Sequence, residues 1–322
     1  VYPVHDNSEK TAIIIGGGLA GTSSARALAE RGWQVTLLEQ HDQLAREASG
    51  NSQSILYAKL SANQTVLSRL IGQGYCYSLN MIRQLEKAKT GIRHACGVVQ
   101  LCTSEAVRKR YMQLSQQYPK EFLELLNRKQ LSSIAGINVK HDGLYFPESG
   151  WVSAPELCQQ LVCHPSIRVK TDTHVDRLFY ENNLWLLKNE DKMIEKAKTV
   201  IIAGGVSSNK LSQLAHIPFK SIRGQVTRIQ ATVQSKKLNT CICGEGYAAP
   251  ENLGVHTVGA TFDFNSESST VDQLDHEKNL SMQSKWMPSF VEALGGVNCS
   301  ILGGKTGFRC TTPDYLPVVG PV

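Results

Sequence analysis

Strand-length apolar runs and stretches of helical periodicity alternate at the start of the chain. Residues 11–15 and 34–39 are apolar-rich runs, whereas residues 19–31 repeat apolar side chains at the helical spacing. A glycine-rich turn at residues 16–21 separates the first run from the helical stretch. This order predicts a β-α-β unit with two parallel strands.

The remaining chain changes from helical to strand-like patterning. Residues 63–88 and 104–127 follow the helical period, and Pro119 is predicted to break the second stretch. The run Ser-Ala-Pro-Glu at 153–156 predicts a capping box that opens a helix ending near residue 163. The later predicted elements are strands at 167–170, 175–180, 184–188, 199–203, 221–230, 240–248 and 255–261, a helix at 271–287, and a strand and turn at 306–322.

The glycine turn has the spacing Gly16-x-Gly18-x-x-Gly21, and Glu39 ends the next predicted strand. In this position between strand and helix, the spacing is typical of dinucleotide-binding units. The first glycine permits the tight turn, the second lets the backbone approach a pyrophosphate, and the third lets helix and strand pack closely. The helix N-terminus attracts the phosphates, and Glu39 accepts hydrogen bonds from the adenosine ribose.

An acidic residue at position 39 disfavours the 2′-phosphate of NADP, so NAD and FAD remain. Further features extend the match to the longer signature of flavin oxidoreductases and favour FAD. They are Ala25 and Leu28 in the helix, Gly32 before the second strand, the Ser49-Gly50 turn after it, and the small residues Ala203-Gly204-Gly205 behind an apolar run.

Composition and charge exclude several classes of protein. The 322 residues are 41% apolar and 19% charged, which predicts about two globular domains and excludes disordered, collagen-like and coiled-coil chains. The net charge of +6 permits an acidic partner such as RNA without requiring one. The nine cysteines lack zinc or redox spacing, so we expect reduced thiols and no metal. With no leader and no long apolar run, we expect a cytoplasmic protein that does not enter membranes.

Several segments together resemble the glycine oxidase/D-amino-acid oxidase superfamily. They are the fingerprint at 16–39, Ser-Gly-Asn-Ser-Gln at 49–53, Ile-Arg-Gly-Gln-Val at 222–226, Cys-Gly-Glu-Gly-Tyr at 243–247, Val-Gly-Ala-Thr at 258–261, and the segment 309–320. The resemblance spans nearly the whole chain. It is closest to the flavin half of the tRNA-modifying members, which also carry a methyltransferase half.

This resemblance implies an α/β fold of the glycine oxidase type. An FAD-binding, Rossmann-like doubly wound domain would be interleaved with an antiparallel-sheet substrate domain. The FAD-binding domain is expected at residues 1–90, 150–218 and 300–322, and the substrate domain at residues 91–149 and 219–299.

The resemblance also implies a set of site residues. Arg309 matches the position that holds the substrate carboxylate, and Tyr247 is a candidate second donor to that carboxylate. No general base is assigned, because FAD performs the hydride chemistry on a neutral amine. The residues expected to bind FAD are Gly16, Gly17, Gly18, Leu19, Ala20, Gly21, Glu39, Gln40, Ser49, Gly50, Asn51, Val175, Ala203 and Gly204.

The implied substrate is a carboxymethylaminomethyl(-2-thio)uridine at the tRNA wobble position, which is an N-substituted glycine. Oxidation of the glycine methylene followed by imine hydrolysis would release glyoxylate and leave an aminomethyl uridine. The implied partners are tRNA and the S-adenosylmethionine-dependent methyltransferase domain. Candidate phosphate contacts, which could equally be solvated helix faces, are Arg83, Lys87, Lys89, Arg93 and Arg108-Lys109-Arg110.

Two other functions remain open. An oxidase of free glycine, sarcosine or a similar small amino acid would use FAD and Arg309 in a closed pocket. A non-catalytic flavin-binding or interaction fragment is the alternative of another class. Two departures from the tRNA-modifying members predict a fragment: no methyltransferase segment precedes Thr11, and the chain ends at Val322, before the glycine-rich turn and final helix of those relatives.

Overall fold

The structure is a computed structural model and describes residues 10–321. Its α-helices are α1 (Leu19–Ala29), α2 (Val66–Glu86), α3 (Glu105–Ser115), α4 (Arg128–Ala135), α5 (Ala154–Leu161), α6 (Gln273–Trp286) and α7 (Pro288–Ala293). Its strands are β1 (Thr11–Ile15), β2 (Gln34–Leu38), β3 (Ser54–Leu56), β4 (Arg93–His94), β5 (Val98–Leu101), β6 (Glu124–Leu126), β7 (Gly143–Phe146), β8 (Gly150–Val152), β9 (Ile167–Lys170), β10 (Arg177–Glu181), β11 (Leu184–Asn189), β12 (Lys192–Ala197), β13 (Val200–Ile202), β14 (Lys220–Gln230), β15 (Cys241–Cys243), β16 (Tyr247–Ala248), β17 (Val255–Gly259) and β18 (Ile301–Thr311).

A four-stranded parallel sheet in the order β13-β1-β2-β9 contains the predicted β-α-β unit. Alternate side chains along its strands are buried on opposite faces of the sheet. Ile14 and Leu37 pack with Ala25 of α1 on one face. Ile13 and Leu38 pack on the other face against the antiparallel sheet β10-β11-β12. Helices therefore cover one face of the parallel sheet and a β-meander covers the other.

A second, larger sheet has the order β18-β14-β17-β16-β15-β5-β7-β6. Its neighbouring strands are antiparallel except for β15 and β5, which pair in parallel. Helices α6 and α7 cover part of this sheet, where Phe290 packs against Ile229 and Val258. A small sheet, β3-β8-β4, joins segments from three distant parts of the chain. The predicted α/β fold with a parallel sheet and a separate, largely antiparallel sheet is confirmed.

The expected capping box at residues 153–156 is wrong. Among the described residues, the Ser153 hydroxyl caps no N–H group of α5, although Pro155 does lie in its first turn. Proline has no N–H to donate at that position, so one of the two usual partners of a capping hydroxyl is missing. The Glu156 side chain accepts a hydrogen bond from Lys89 rather than from the backbone N–H of residue 153.

Other differences come from sheet pairing. The predicted helix at 104–127 ends at Ser115, and residues 124–126 form β6 because they pair with β7. The predicted strand at 240–248 is a hairpin of β15 and β16, in which the Gly244 N–H donates to the Gly246 carbonyl at 2.7 Å. Strands β3, β4, β5, β7, β8 and β12 lacked a sequence prediction.

The division into two domains stays a prediction, and its outer limits, residues 1–9 and 322, lie outside the described residues. Within the described chain, β18 pairs along its whole length with β14 and is therefore part of the large sheet. It also contacts the turn at 48–50, which follows the parallel sheet. Between residues 10 and 321, no helix combines the length and apolarity needed to cross a bilayer.

Candidate cofactor and substrate site

The glycines of the turn at 16–21 differ in which neighbouring atoms would collide with a side chain. Gly16 has a φ of +111°, and a Cβ there would lie 2.4 Å from the Ala203 carbonyl oxygen. A Cβ on Gly21 would lie 1.9 Å from the Gly16 carbonyl oxygen. Gly18, in contrast, has an extended backbone, and a Cβ there would meet only Ser49, whose Oγ would lie at 3.1 Å. Gly16 and Gly21 are thus required for packing against the backbone, whereas a side chain at Gly18 would press only on the Ser49 side chain.

Glu39 is held rigidly at the end of β2. Its Oε2 accepts a hydrogen bond from the Gly17 N–H at 2.7 Å, and its Oε1 accepts one from the His41 N–H at 2.9 Å. The residue is only 7% exposed. Each carboxylate oxygen can accept a further hydrogen bond, so the group can receive two ribose hydroxyls.

A cavity of about 740 Å³ opens at the carboxyl edge of the parallel sheet. Strands β1, β2 and β13 end there in register, with Ile15 beside both Leu38 and Ile202. This edge is where open α/β sheets bind ligands. The expected cofactor residues that line the cavity are Gly16, Gly17, Gly18, Leu19, Ala20, Glu39, Gln40, Ser49, Val175, Ala203 and Gly204.

Three expected cofactor residues are not part of this lining among the described residues. Gly21 packs against Gly16, and Gly50 lies against the side chain of Lys305. Asn51 forms a hydrogen bond with Tyr247. Their assignment to FAD, like that of the lining residues, stays a prediction.

Sequence reasoning missed the other walls of the cavity. They are formed by residues 45–48, 173–174, 176, 205–208, 210–211, 308, 310, 312 and 316–318, among others. Arg46 and Lys210 contribute positive charge to this lining. Most of these residues carry no motif of their own and are brought to the cavity by strand pairing. Gly205 and the residues between 310 and 318 do lie in segments with a sequence signal, but their place at the cavity was not predicted.

The cavity residues fit a dinucleotide with an unphosphorylated ribose. The cavity beside Gly18 admits a pyrophosphate next to the N-terminus of α1, and Glu39 offers acceptors for ribose hydroxyls. The volume falls within the range of roughly 300–1,000 Å³ that is usual for small-molecule sites. Within residues 10–321 no group of three or more His, Cys, Asp or Glu side chains is arranged to hold a metal ion.

Arg309 lies on β18, on the strand face opposite to its cavity-lining neighbours Phe308 and Cys310. Its Nη1 donates to the Thr261 carbonyl at 3.3 Å, and its Cζ lies 4.8 Å from the centre of the Phe262 ring. A Cβ on Gly224 of the adjacent strand would lie 2.4 Å from this guanidinium, so a side chain there would displace the guanidinium from its position. Burial lowers the pKa of Arg309, although the nearby Tyr247 opposes this shift.

Tyr247 connects the Arg309 region to the loop after β2. Its hydroxyl accepts a hydrogen bond from Asn51 Nδ2 at 2.8 Å and donates to the Gln53 carbonyl at 3.3 Å. Burial raises the pKa of Tyr247, and the hydrogen bond from Asn51 only partly offsets this. The hydroxyl therefore remains protonated and can act as a donor. The two expected substrate residues, Arg309 and Tyr247, are brought together.

The loop at residues 45–53 joins the cavity to Arg309 and Tyr247. Ala48 and Ser49 line the cavity, and Asn51 contacts Tyr247. Lys305 of β18 fixes this loop by donating to the Arg46 carbonyl at 3.0 Å. The same loop therefore contacts both the cavity and Tyr247 of the Arg309 region.

A buried arginine anchors the segment that follows β17. Arg223 Nε donates to the Ser268 carbonyl and its Nη2 to the Thr270 carbonyl, both at 2.7 Å. Its Nη1 pairs with Asp275 of α6, and both side chains are almost fully buried. Because one arginine satisfies two carbonyls and a carboxylate, residues 261–270 are fixed beside Arg309.

The basic residues proposed as phosphate contacts are partly neutralised. Arg83 pairs with Glu148, Lys89 with Glu156, and Arg108 with Asp142. Exposed pairs of this kind contribute little to stability, roughly 0–1 kcal/mol. A role for these residues in binding RNA stays a prediction.

Comparison with curated proteins identifies close relatives. A protein of Pseudomonas fluorescens Pf-5 named tRNA 5-methylaminomethyl-2-thiouridine biosynthesis bifunctional protein MnmC is 44% identical over 316 residues, which are 98% of this chain and 48% of the relative. The protein of the same name from Pseudomonas aeruginosa PAO1 is 41% identical over 322 residues, which are 99% of this chain and 49% of the relative. The chain thus spans about half the length of the curated relatives it matches.

Solved structures share the fold at lower sequence identity. Glycine oxidase from Geobacillus kaustophilus aligns with a TM-score of 0.80 at 20% identity, covering 96% of this chain and 85% of the other. Glycine oxidase from Bacillus cereus ATCC 14579 aligns with a TM-score of 0.79 at 24% identity, covering 98% and 88%. The family described as FAD dependent oxidoreductase (DAO) matches residues 11–322. The chain therefore belongs to this family of FAD-dependent oxidoreductases.

Proposed function

We propose that this chain oxidatively removes the carboxymethyl group from carboxymethylaminomethyl(-2-thio)uridine at the tRNA wobble position. The observation that carries the proposal is the environment of the Arg309 guanidinium. Its guanidinium is half-buried, and among the described residues no carboxylate pairs with it. A half-buried cation without an acidic partner is a suitable site for the carboxylate of a substrate. The name of the curated relatives supports a modified tRNA as the carrier of that carboxylate.

The residues lining the cavity would hold FAD. Gly16 to Ala20 would bind the pyrophosphate and Glu39 the adenosine ribose. The loop at 45–53 would direct the rest of the cofactor toward Arg309. When bound, FAD supplies the acceptor for the hydride.

On the substrate side, Arg309 would hold the carboxylate through two parallel hydrogen bonds. The Tyr247 hydroxyl would donate a third by exchanging its long hydrogen bond to the Gln53 carbonyl for one to the carboxylate. These contacts hold the methylene carbon, which links the carboxylate to the secondary amine, in a fixed position. Loss of hydride from this carbon forms a C=N bond, and the nitrogen loses its proton. Water then adds to that carbon, and cleavage of the C–N bond releases glyoxylate and leaves the aminomethyl uridine. Arg309 and Tyr247 supply orientation and charge, and no side chain has to act as a base on the methylene.

The partners proposed are tRNA and an S-adenosylmethionine-dependent methyltransferase domain. The relatives are named bifunctional and are about twice as long as this chain, which supports a second catalytic domain that consumes the amine product. A tRNA substrate also favours the cytoplasm as the location. The cavity at the glycine turn and the absence of an acidic partner for Arg309 among the described residues favour an enzyme over a non-catalytic module.

The test is stopped-flow reduction of the flavin-loaded chain with three substrates. An anticodon stem-loop carrying carboxymethylaminomethyl uridine should bleach the flavin and release one glyoxylate for each flavin reduced. Sarcosine and glycine, which carry the carboxylate but no nucleoside, should react at least tenfold less efficiently. Equal or better reduction by sarcosine or glycine would identify a small amino acid oxidase, and a flavin that none of the three substrates bleaches would support a non-catalytic module.

A further inference from the structure

Two phenylalanines beside Arg309 are unusually exposed. Phe262 is 52% exposed and Phe264 is 57% exposed. Their rings form an edge-to-face pair with centres 5.4 Å apart and an interplanar angle of 66°. Large apolar side chains that stay exposed next to a functional site commonly mark a binding surface. We call these two residues the phenylalanine pair.

The phenylalanine pair is directly connected to the carboxylate-binding arginine. The Arg309 Cζ lies 4.8 Å from the Phe262 ring centre, so one side of the ring is covered by the guanidinium. About half of the Phe262 side chain remains open to solvent. An aromatic ring that carries a cation on one side keeps its other side available for stacking.

The backbone of the segment that carries the phenylalanine pair is anchored, so the exposure of the two rings is a property of the fold. The Arg223 and Asp263 backbones exchange hydrogen bonds at 2.8 and 2.9 Å. The buried Arg223 side chain holds the carbonyls of Ser268 and Thr270 from the inside. Since these contacts fix the backbone before any ligand binds, a partner would not have to order the segment.

We propose that Phe262 stacks on the uracil base of the substrate nucleoside, and that Phe264 extends this aromatic surface toward a neighbouring base of the RNA. This inference rests on the function proposed above. It adds the feature that selects a nucleoside-linked substrate over a free amino acid.

The dimensions and charges agree with a base as the occupant. Only four covalent bonds separate C5 of the uracil from the carboxylate carbon, so the base must lie close to the arginine that holds the carboxylate, and Phe262 is an exposed ring in contact with that arginine. Stacking on aromatic side chains is the usual way in which proteins bind unpaired RNA bases. Asp263 and Glu267 lie in the same segment, so its charge disfavours phosphates and leaves the base as its contact.

A free glycine or sarcosine has no group that could cover the phenylalanine pair. Their oxidation should therefore depend on Phe262 only through its contact with Arg309. A nucleoside substrate should depend on Phe262 through that contact and through stacking. The difference between the two substrate classes isolates the stacking contribution.

The experiment compares Phe262→Leu, Phe262→Tyr and Phe264→Leu with the parent chain. Phe179→Leu is a matched control, because Phe179 is also exposed, at 40%, and also carries a cation, with Lys188 Nζ 5.1 Å from its ring centre. Two quantities are measured: the concentration dependence of flavin reduction by the modified stem-loop and by sarcosine, and the Kd of the unmodified stem-loop from fluorescence anisotropy.

For Phe262→Leu, the affinity for the modified stem-loop should fall about 10-fold more than the affinity for sarcosine, in line with typical base-stacking contributions. The Kd of the unmodified stem-loop should rise by a similar factor. Phe262→Tyr should restore both values, Phe264→Leu should show a smaller loss, and Phe179→Leu should match the parent. Equal losses for both substrates, or no recovery with tyrosine, would overturn the stacking role.

The binding measurement separates this inference from the proposed function. If the modified stem-loop fails to reduce the parent flavin, the proposed function is wrong, and the anisotropy result still decides the stacking role. Weaker stem-loop binding by Phe262→Leu with recovery in Phe262→Tyr would then support an RNA-stacking surface. Unchanged stem-loop binding by Phe262→Leu would reject it.

Discussion

The glycine turn and the Arg309 region differ in how far apart their parts lie in the chain. Gly16, Gly21 and Glu39 belong to one β-α-β unit, and the Gly17–Glu39 hydrogen bond joins residues only 22 positions apart. At the Arg309 region, Asn51 and Tyr247 are separated by 196 positions. The first region is assembled by local geometry, and the second by pairing of distant segments.

The two regions also use different physical means to prepare a site. In the turn, the absence of side chains creates space and exposes the backbone, so shape is what a ligand meets. Around Arg309, a half-buried charge is held by Thr261, Phe262 and the gap at Gly224, so electrostatics is what a ligand meets. Substitutions in the turn should therefore affect cofactor binding. Substitutions at Arg309, which we call the carboxylate clamp, should affect the substrate alone.

The largest expected effect is at the clamp. Arg309→Ala should weaken use of the carboxylate-bearing substrate by about 3–5 kcal/mol, at least about 100-fold, because the carboxylate would be left unpaired in a partly desolvated site. Arg309→Lys keeps the charge but loses the paired donors, so a loss of about 10-fold is expected. FAD binding should be retained in both variants. Stopped-flow flavin reduction measures the loss, and the visible flavin spectrum checks occupancy.

Arg228→Ala is the control for that experiment, because Arg228 is exposed on the neighbouring strand β14. It should behave like the parent. If Arg309→Ala is reduced at the parental rate and concentration dependence, the carboxylate-clamp role is wrong. If Arg309→Ala loses FAD, the glycine turn and the Arg309 region do not act independently on cofactor and substrate.

The next largest effect is expected at Gly18. Gly18→Val should reduce FAD affinity by at least about 100-fold, or about 2.7 kcal/mol, because the side chain fills the space meant for the pyrophosphate. Valine can adopt this extended backbone and only the Ser49 side chain would have to move, so the thermal midpoint should change less than in Gly21→Val. Gly21→Val should instead lower the thermal midpoint, since its Cβ would collide with the Gly16 carbonyl. A full flavin spectrum in Gly18→Val would remove the turn from the cofactor site.

The same contrast explains how much could be predicted from sequence. The β-α-β unit is specified by residues close in sequence, so its strands, helix and turn were predicted within a few residues. Strands such as β4 and β16 have two residues each and exist only because distant partners pair with them. Residues 124–126 were predicted as helix because their pairing with β7 leaves no signal in the local sequence. Local periodicity carries no information about such partners.

At the site, the motif residues were predictable and their surroundings were not. Arg309 and Tyr247 were assigned through the family resemblance, and the structure places them close together. Phe262, which lies against Arg309, has no sequence signal, because an aromatic residue in a polar segment after a strand resembles an ordinary loop residue. Only the β14–β18 pairing and the Arg223 anchor bring it to the clamp.

A smaller effect is expected at Glu39, which tests the ribose side of the cavity. Glu39→Ala should weaken FAD binding by about 1.5–3 kcal/mol, the usual value for hydrogen bonds to a charged group. Glu39→Gln keeps one acceptor and should lose less. The Gly17 and His41 N–H groups would lose their partner in the alanine variant, so thermal melts should accompany the calorimetric titration. Unchanged FAD affinity in Glu39→Ala would exclude a ribose contact.

The smallest effect is expected at Tyr247, where the two regions meet. Tyr247→Phe removes the hydroxyl that accepts from Asn51 and donates to the Gln53 carbonyl. Substrate binding should weaken by about 0.5–1.5 kcal/mol, with little change in FAD affinity. This is less than the usual value for a hydrogen bond to a charged group, because the hydroxyl gives up its bond to the Gln53 carbonyl when it binds the carboxylate. Because burial raises the pKa of Tyr247 above its usual 10.0, the hydroxyl stays protonated at any lower pH, and the ratio of variant to parent should not change with pH below that value. Parallel flavin-reduction titrations across pH measure this ratio; a ratio that approaches one as the pH rises toward 10.0 would show that the hydroxyl ionises and is not a stable donor.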